Sequence, residues 1–282
     1  MLTGRVLLIA FEGWNDATEG ASGALKAIAQ QIGAQTLEAV DPEDYYDFQF
    51  SRPMVEVDED GNRTISWPGA EFMQADREHI DQNPALERLF LLVGSEPSRR
   101  WLSFAAEILE MVQDREIDSV IMLGSMLADV PHTRPMPIFK SSQNEAFRAR
   151  FDLEPSRYEG PVGILSILAQ AFEAEGIPVL SLWGSVPHYV HNTSNPKAAL
   201  GFLAEITALI GIGFDTTELA DQAFEWERSI DDVAEGDEEM TSYVSQLEAN
   251  RDQLESEQAS GDALAREFER YLNERKDGAG EG

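Results

Sequence analysis

The chain has 282 residues, a length that suits one large α/β domain with an appendage, or two domains. Hydrophobic residues make up 43% of it, which predicts a substantial core and argues against wholesale disorder. It contains no cysteine, so disulfides, thiolate metal sites and thiol catalysis are excluded. The formal net charge of −31 disfavours binding to nucleic acid and to anionic membranes, because both carry negative charge.

The chain begins without the pattern of a secretory leader, and its longest apolar segment, residues 164–172, is about half of the roughly 20 residues that a membrane span needs. We therefore expect a soluble, cytoplasmic protein. Residues 215–277 hold 20 acidic and 6 basic side chains, a net charge of −14. This segment is either a solvated helical surface or an acidic docking face for a basic partner, and adaptation to high salt is a third explanation.

A strand–helix–strand unit opens the chain. Residues 6–11 form a continuous apolar run, which is typical of a short strand buried on both faces. Residues 17–31 carry small and apolar side chains at helical spacing, with Asn15 or Asp16 placed to cap the helix. Residues 36–40 predict a second strand, and the crossover to it should be right-handed.

A hairpin is predicted next, because residues 54–58 and 63–67 flank an Asp60-Gly61 pair that favours a tight turn. We place it at one edge of the sheet. The pattern after it predicts a strand over residues 86–93, a helix over 101–113, a strand over 118–123 and a short helix over 141–150.

The last alternating elements are a helix over residues 161–175, a strand over 177–183 and a helix over 196–210. This alternation predicts a three-layer α/β/α sandwich with a mostly parallel sheet. From residue 216 onward only helical patterns occur before a glycine-rich end. The expected organisation is a core of residues 1–214, an acidic helical appendage of residues 215–277 and a disordered tail of residues 278–282.

Four of the apolar runs end in a short polar turn that contains glycine. The carboxyl ends of parallel strands share one edge of a sheet, where ligand crevices form. We therefore expect a polar crevice at this edge. The candidate residues are Glu12, Asn15, Asp16, Ser95, Glu96, Arg99, Arg100, Ser125, Asp129, His132, Arg134 and His188.

The turn after the first strand has two interpretations. Asn15 or Asp16 caps the following helix while Glu12 meets solvent, or all three form the polar lip of a pocket. The turn has one glycine where the dinucleotide fingerprint needs three, and the chain has no phosphate-binding P-loop sequence. No cofactor is expected.

The next turn brings Arg99 and Arg100 to a helix start. Guanidinium groups and backbone N–H groups at such a position suit a phosphate or a carboxylate. The alternative is internal pairing of one arginine with Glu12, Glu96 or Asp129.

The later turns hold Asp129, His132 and Arg134 in a loop with three prolines, and stiff polar loops suit recognition. His188 and His191 stand three residues apart, a spacing found in some metal sites. The chain has only four histidines and no HExxH motif, so no metal is expected. The serines that follow glycine lie in no GxSxG elbow, and no catalytic residue is assigned.

Five motifs, read together in chain order, carry a family resemblance. They are Phe11-Glu12-Gly13-Trp14-Asn15-Asp16, Gly94-Ser95-Glu96-Pro97, Leu123-Gly124-Ser125-Met126-Leu127-Ala128-Asp129-Val130-Pro131-His132-Thr133-Arg134-Pro135, Tyr158-Glu159-Gly160-Pro161 and Val186-Pro187-His188-Tyr189-Val190. With Trp226-Glu227-Arg228 and residues 265–272 of the appendage, they resemble the PAC2 family, which is named for a eukaryotic proteasome assembly chaperone.

The resemblance implies a core similar to the phosphorylase/hydrolase-like fold and self-association into homo- or hetero-oligomers. No catalytic residues are established for the family, so none is carried over. Proteasome-related members often end in a hydrophobic-Tyr-any tripeptide that docks between proteasome subunits. This sequence ends Ala279-Gly280-Glu281-Gly282 and departs from that pattern, which puts direct proteasome docking in doubt.

The expected function is thus that of a non-enzymatic, homo-oligomeric assembly, chaperone-like or scaffold protein with a protein partner. Analogy with phosphorylases of similar fold favours a trimer. The alternative is an enzyme or small-molecule binder whose anion-binding crevice uses Arg99, Arg100, His132 and Arg134. Fold alone does not decide between them.

Overall fold

The computed structural model describes residues 1–57, 61–190 and 193–256, which contain nine strands and nine α-helices. The strands are β1 (Val6–Glu12), β2 (Gln35–Ala39), β3 (Met54–Val57), β4 (Arg63–Ser66), β5 (Ala70–Gln74), β6 (Leu89–Ser95), β7 (Ser119–Ala128), β8 (Ile138–Ser141) and β9 (Val179–Pro187). The helices are α1 (Gly20–Gln31), α2 (Pro42–Tyr45), α3 (Arg77–Gln82), α4 (Trp101–Asp114), α5 (Glu145–Phe151), α6 (Ile164–Ala174), α7 (Pro196–Ile210), α8 (Thr217–Ala234) and α9 (Glu238–Ser256).

Seven strands form one mixed sheet in the order β2-β5-β6-β1-β7-β9-β8. The four central strands, β6, β1, β7 and β9, are parallel, whereas β5 and β8 run antiparallel to their neighbours. β1 lies at the centre because its continuous apolar run can be buried on both faces of a sheet. The carboxyl ends of the four central strands therefore meet at one edge.

A hydrophobic core lies on each face of the sheet. Successive side chains of a strand point to opposite faces, so Leu8 belongs to one core and Leu7 to the other. Leu25 of α1 and Phe202 of α7 cover the first face, and Phe104 of α4 covers the second together with α6. The predicted three-layer α/β/α sandwich is confirmed.

The ends of α7 follow from its sequence. The Asn195 side chain accepts a 2.9 Å hydrogen bond from the N–H of Ala198. Pro196 occupies the first turn, where a backbone N–H has no acceptor within the helix, so the missing N–H of proline costs nothing. Gly211 ends the helix with a φ of 71°, in the left-handed region that glycine favours. A Cβ on Gly20 of α1 would lie 2.7 Å from Cβ of Ala198, so the two helices pack closely at this point.

The edges of the sheet differ from the sequence expectation. The strand predicted over residues 36–40 is β2. It runs in the same direction as β1, but β5 and β6 lie between β2 and β1 in the sheet. β5 and β8 are antiparallel strands that the sequence patterns did not predict. β8 also takes the start of the helix expected over residues 141–150, and the helix found is α5.

The hairpin predicted over residues 54–67 exists, but it is a separate two-stranded sheet. β3 and β4 pair antiparallel, with Val55 opposite Ile65 and Val57 opposite Arg63. All eight strand residues are exposed. We call β3 and β4 together the ribbon.

The last two helices of the described residues, α8 and α9, pack on the core. α8 packs against α7 and buries Trp226 and Ile230, while α9 contributes buried Val244 and Leu247. The division of the chain at residue 214 stays a prediction, and the tail expected over residues 278–282 lies outside the described residues. Within the described ranges, no helix combines the length and apolarity that crossing a bilayer demands.

Candidate functional site

Asn15 and Glu96 join the ends of β1 and β6 to the start of α6. Asn15 is almost fully buried, and its Nδ2 donates a 2.7 Å hydrogen bond to Oε1 of Glu96. The same oxygen accepts a 2.8 Å bond from the backbone N–H of Ile164. A Cβ on Gly163 would lie 2.2 Å from Oδ1 of Asn15, so the two segments touch here. These contacts connect the carboxyl ends of β1 and β6 to the start of α6.

Asp16 links the start of α1 to β7. Its carboxylate accepts 2.8 Å hydrogen bonds from the N–H groups of Ala21 and Ser22, and a 2.7 Å bond from Oγ of Ser125. Burial raises the pKa of this carboxyl, although its hydrogen bonds act in the opposite direction. The capping interpretation is therefore confirmed for Asp16, whereas the Asn15 side chain binds Glu96.

The turn between β1 and α1 is strained. Thr18 and Glu19 have φ angles of 59° and 54°, in the left-handed region that costs a non-glycine residue on the order of 1 kcal/mol or more. The start of α7 holds this turn: the Thr18 carbonyl accepts a 2.9 Å bond from Asn195 N–H, and Ser194 Oγ donates a 2.7 Å bond to Glu19. Ser125 Oγ also lies 2.6 Å from the carbonyl oxygen of Ala17 in the same turn, so its single hydrogen has two acceptors within reach.

Glu12 and Ser95 form the partly exposed rim of this cluster. Oε1 of Glu12 lies 2.5 Å from Nζ of Lys26, and Ser95 Oγ donates a long 3.4 Å bond to the other carboxylate oxygen. The hydroxyl of Tyr46 donates a 2.8 Å bond to the Ser95 carbonyl. Glu12 is thus engaged by a lysine of α1.

Arg99 and Arg100 contact α2, not the cluster around Asn15. Arg99 donates to the backbone carbonyls of Glu43 and Asp44, and Arg100 pairs with the Asp44 carboxylate. The Arg100 guanidinium also lies 5.5 Å from the centre of the Tyr45 ring. Their partners therefore differ from Glu12, Glu96 and Asp129, the three carboxylates that the sequence analysis named.

A second polar cluster surrounds the loop after β7. The hydroxyl of Tyr243, on α9, donates a 3.2 Å bond to Oδ1 of Asp129, and Nδ1 of His188 lies 3.4 Å from the same atom. The rings of His188 and Tyr243 meet edge to face, 5.8 Å apart. His188 therefore belongs to this cluster, while Asn15 and Glu96 belong to the first.

His132 is the centre of the second cluster, with its side chain fully buried. Its Nε2 lies 3.0 Å from Oδ1 of Asp231 on α8, and its Nδ1 lies 2.8 Å from the hydroxyl of Tyr189. Burial raises the pKa of that tyrosine, so the hydroxyl stays protonated at neutral pH. Lys197 binds the backbone carbonyl of His132 and the carboxylate of Glu227.

Arg134 binds two carboxylates of α9. Its Nε and one terminal nitrogen donate to the two oxygens of Asp252 at 2.9 and 3.0 Å, a bidentate geometry. Its other terminal nitrogen donates a 3.0 Å bond to Glu248. These hydrogen bonds lower the pKa of Asp252 and raise that of Arg134. The anion that Arg134 was expected to attract is thus supplied by the chain itself.

The sequence analysis missed the acidic partners of this loop and of Lys197 on α7, which lie on α8 and α9. They are Glu227, Asp231, Glu248 and Asp252. The sequence feature that could have indicated these partners was the excess of carboxylates in residues 215–277. That excess does not show which carboxylates face the rest of the chain. In the structure, some of these carboxylates lie against basic side chains of the same chain, namely His132, Arg134 and Lys197.

A small cavity lies between the loop after β7, the end of β9 and the start of α7. Its volume is about 220 Å³, which includes the part open to solvent. Oγ of Ser185 and Nε1 of Trp226 are buried and have no hydrogen-bond partner among the described residues. The other polar side chains of its lining are His132, Arg134, Asn195 and Lys197.

Among residues 1–57, 61–190 and 193–256, no three acidic or histidine side chains are grouped so that they could hold a metal ion. His191, which the sequence analysis paired with His188, lies outside the described residues.

Comparison with known proteins assigns the family. A model of the PAC2 family matches residues 10–234. The chain belongs to the PAC2 family. It is 38% identical to a PAC2 family protein from Streptomyces avermitilis, with a TM-score of 0.74 over 85% of this chain and 99% of that one. Among curated proteins, none matches the sequence.

Two further solved structures are similar to this PAC2 chain. A proteasome-assembly chaperone homologue of Mycobacterium tuberculosis is 35% identical, with a TM-score of 0.73 over 85% of this chain and 99% of its own. An archaeal proteasome activator of Pyrococcus furiosus is 17% identical, with a TM-score of 0.62 over 82% of this chain and 94% of its own. The second likeness concerns the fold alone.

Proposed function

We propose that this PAC2-family chain is a non-enzymatic, cytoplasmic protein that self-associates and assists the assembly of a protein partner. One observation carries the proposal: the polar side chains at the strand ends bind one another. Asn15 is bonded to Glu96, Asp16 to the start of α1, and Arg134 to Asp252. The mycobacterial relative, a proteasome-assembly chaperone homologue, supports the choice of an assembly role.

These bonds favour a structural role for the following reason. A catalytic group must be able to reach a substrate, and a buried polar group that loses its partner costs about 1–3 kcal/mol. Asn15 and Ser125 are each about 1% exposed and bonded within the chain. They are therefore better suited to fixing the strand ends than to reacting with a ligand.

Self-association is the first test. Sedimentation velocity at micromolar concentration should show a species with a mass that is a multiple of 31.3 kDa. It should persist at several salt concentrations, with a shift toward dissociation at low salt, where repulsion between acidic chains is least screened. A single 31.3 kDa species under all conditions would contradict the proposal.

A second candidate function, binding of a small anion, rests on the cavity beside α7. Trp226 Nε1 is a donor and Ser185 Oγ both a donor and an acceptor, and neither has a partner among the described residues. If the cavity binds inorganic phosphate or acetate, a concentration of about 100 times Kd should raise the unfolding free energy by about 2.7 kcal/mol. Ser185→Ala should abolish that gain. The assembly proposal instead predicts an unchanged melting temperature with either anion.

A further inference from the structure

The ribbon has one apolar and one polar face. Strand pairing places Val55 opposite Ile65 and Val57 opposite Arg63 on one side, so three of its four side chains are β-branched and apolar. The opposite side carries Met54, Glu56, Thr64 and Ser66. We call the side with Val55, Val57 and Ile65 the apolar face of the ribbon.

This alternation is typical of a strand that is half buried. All eight residues are nevertheless exposed, and the ribbon pairs with no other strand of the described chain. A two-stranded hairpin alone is marginally stable in water. The sequence of the ribbon thus fits a surface that the described part of the chain does not provide.

The apolar face exposes a patch of functional size. Val55, Val57 and Ile65 are each more than half exposed, and so is Trp67, which continues the alternation of Ile65. At about 100 Å² each, the four side chains expose roughly 400 Å², within the about 300–600 Å² of the largest and often functional patch on a monomer, and about half of the ≈800 Å² that one partner buries in a stable complex.

Charge favours a second copy of the chain as the occupant. β3 and β4 contain one acidic and one basic residue, Glu56 and Arg63, so the strands are neutral in a chain of net charge −31. Two acidic copies repel least where they meet through a neutral, apolar surface. A second copy also offers an identical stripe, as a two-fold contact between the same patches requires.

We infer that the apolar face of the ribbon binds the apolar face of the ribbon of a second copy. This inference rests on the proposed self-association and names the surface that produces it. In sequence the connection between the strands is acidic, so the two ribbons should run in opposite directions, which separates the two connections. Such a contact predicts a dimer, or an assembly built from dimers, instead of the trimer that analogy favoured.

The test replaces Val57 and Ile65 together by threonine, which keeps the β-branched shape that strands prefer but adds hydroxyl groups to the face. At the concentration where the wild-type chain is a dimer, the variant should sediment as a 31.3 kDa monomer with an unchanged melting curve. Leu102→Ser is the control, because Leu102 is an 81% exposed apolar side chain on α4 and belongs to neither strand of the ribbon. It should keep the wild-type mass.

Cross-linking gives a second readout that does not depend on folding losses. Since the chain contains no cysteine, Val55→Cys introduces a single thiol at the ribbon, and Leu102→Cys introduces one on α4 as the control. A short bismaleimide should convert the first variant into a covalent dimer at least tenfold faster than the second. Equal rates would overturn the inference.

The outcomes separate the two proposals. A threonine double variant that keeps the wild-type mass overturns the role of the ribbon and leaves self-association standing. A loss of mass in both the double variant and the Leu102→Ser control also overturns it, because the effect would not be specific to the ribbon. A wild-type chain that is monomeric at all concentrations overturns self-association and, with it, the ribbon contact.

Discussion

Gly94→Ala should destabilise the protein by about 3 kcal/mol or more. A Cβ on Gly94 would lie 2.1 Å from the carbonyl oxygen of Gly69 and 2.5 Å from Cα of Ala70. Both are backbone atoms of the segment that pairs with β6, so no side-chain rotation relieves the overlap. β5 would have to move away, which breaks the 2.9 Å bond from Ser95 N–H to the Gly69 carbonyl.

Urea unfolding measures this loss, and Gly213→Ala is the control. No heavy atom lies within 4 Å of a Cβ built on Gly213, so its replacement should change the unfolding free energy by less than about 0.5 kcal/mol. Equal midpoints for the two variants would show that β5 does not approach β6 as closely as the structure has it.

Asp16→Ala should lower the free energy of unfolding by about 2–4 kcal/mol. The change removes the buried acceptor for two backbone N–H groups, and each orphaned donor costs about 1–3 kcal/mol before water or rearrangement compensates. The Ser125 hydroxyl keeps the carbonyl of Ala17 as an acceptor. Asp41→Ala is the control, because Asp41 caps α2 with one exposed 2.9 Å bond to the N–H of Glu43. It should cost about 1 kcal/mol or less.

The pH dependence of Asp16 has a defined sign. Burial raises its pKa in the folded state above the ordinary 3.8, so the folded chain holds this proton to higher pH than the unfolded chain. Its contribution is fully present below pH 3.8 and is lost as pH rises through the folded pKa. The unfolding free energy of wild type minus that of Asp16→Asn should therefore fall as pH rises from 3.8, and a constant difference would contradict the shift.

The central strands could be predicted from the sequence because a strand that is buried on both faces is apolar at successive positions. β1 and residues 120–123 of β7 are continuous apolar runs, and the structure buries both. The strands farther from the centre have a weaker sequence pattern: β2 is exposed along its whole length, and β5 buries only two of its five residues. Their pairing is decided by contacts that are distant in the chain, so local patterns predicted β2 but not its place in the sheet, and did not predict β5.

The candidate site was predictable in part for the same reason. Parallel strands ending at one edge bring Asn15, Glu96 and Ser125 together, since Asn15 binds Glu96 and its carbonyl accepts a 2.9 Å bond from Ser125 N–H. The directions of Arg99 and Arg100 depend instead on where α2 lies, and no periodicity encodes that.

The pairing of Arg134 was also beyond local reasoning. Its carboxylate partners follow more than 110 residues later in the chain, on α9. The sequence showed an excess of acidic residues there and left three interpretations open. Only the packing of α8 and α9 on the core says which carboxylates meet the loop.

The route of the chain from the ribbon into the sheet has a mechanical consequence. Trp67 stands just after β4 and touches Phe48 with a ring separation of 4.9 Å, and two residues later the Gly69 carbonyl receives the N–H of Ser95. Only residues 67–69 separate the end of β4 from the backbone group that is bonded to the last residue of β6. A molecule that binds the ribbon and shifts it would therefore displace an acceptor at the carboxyl edge of the sheet.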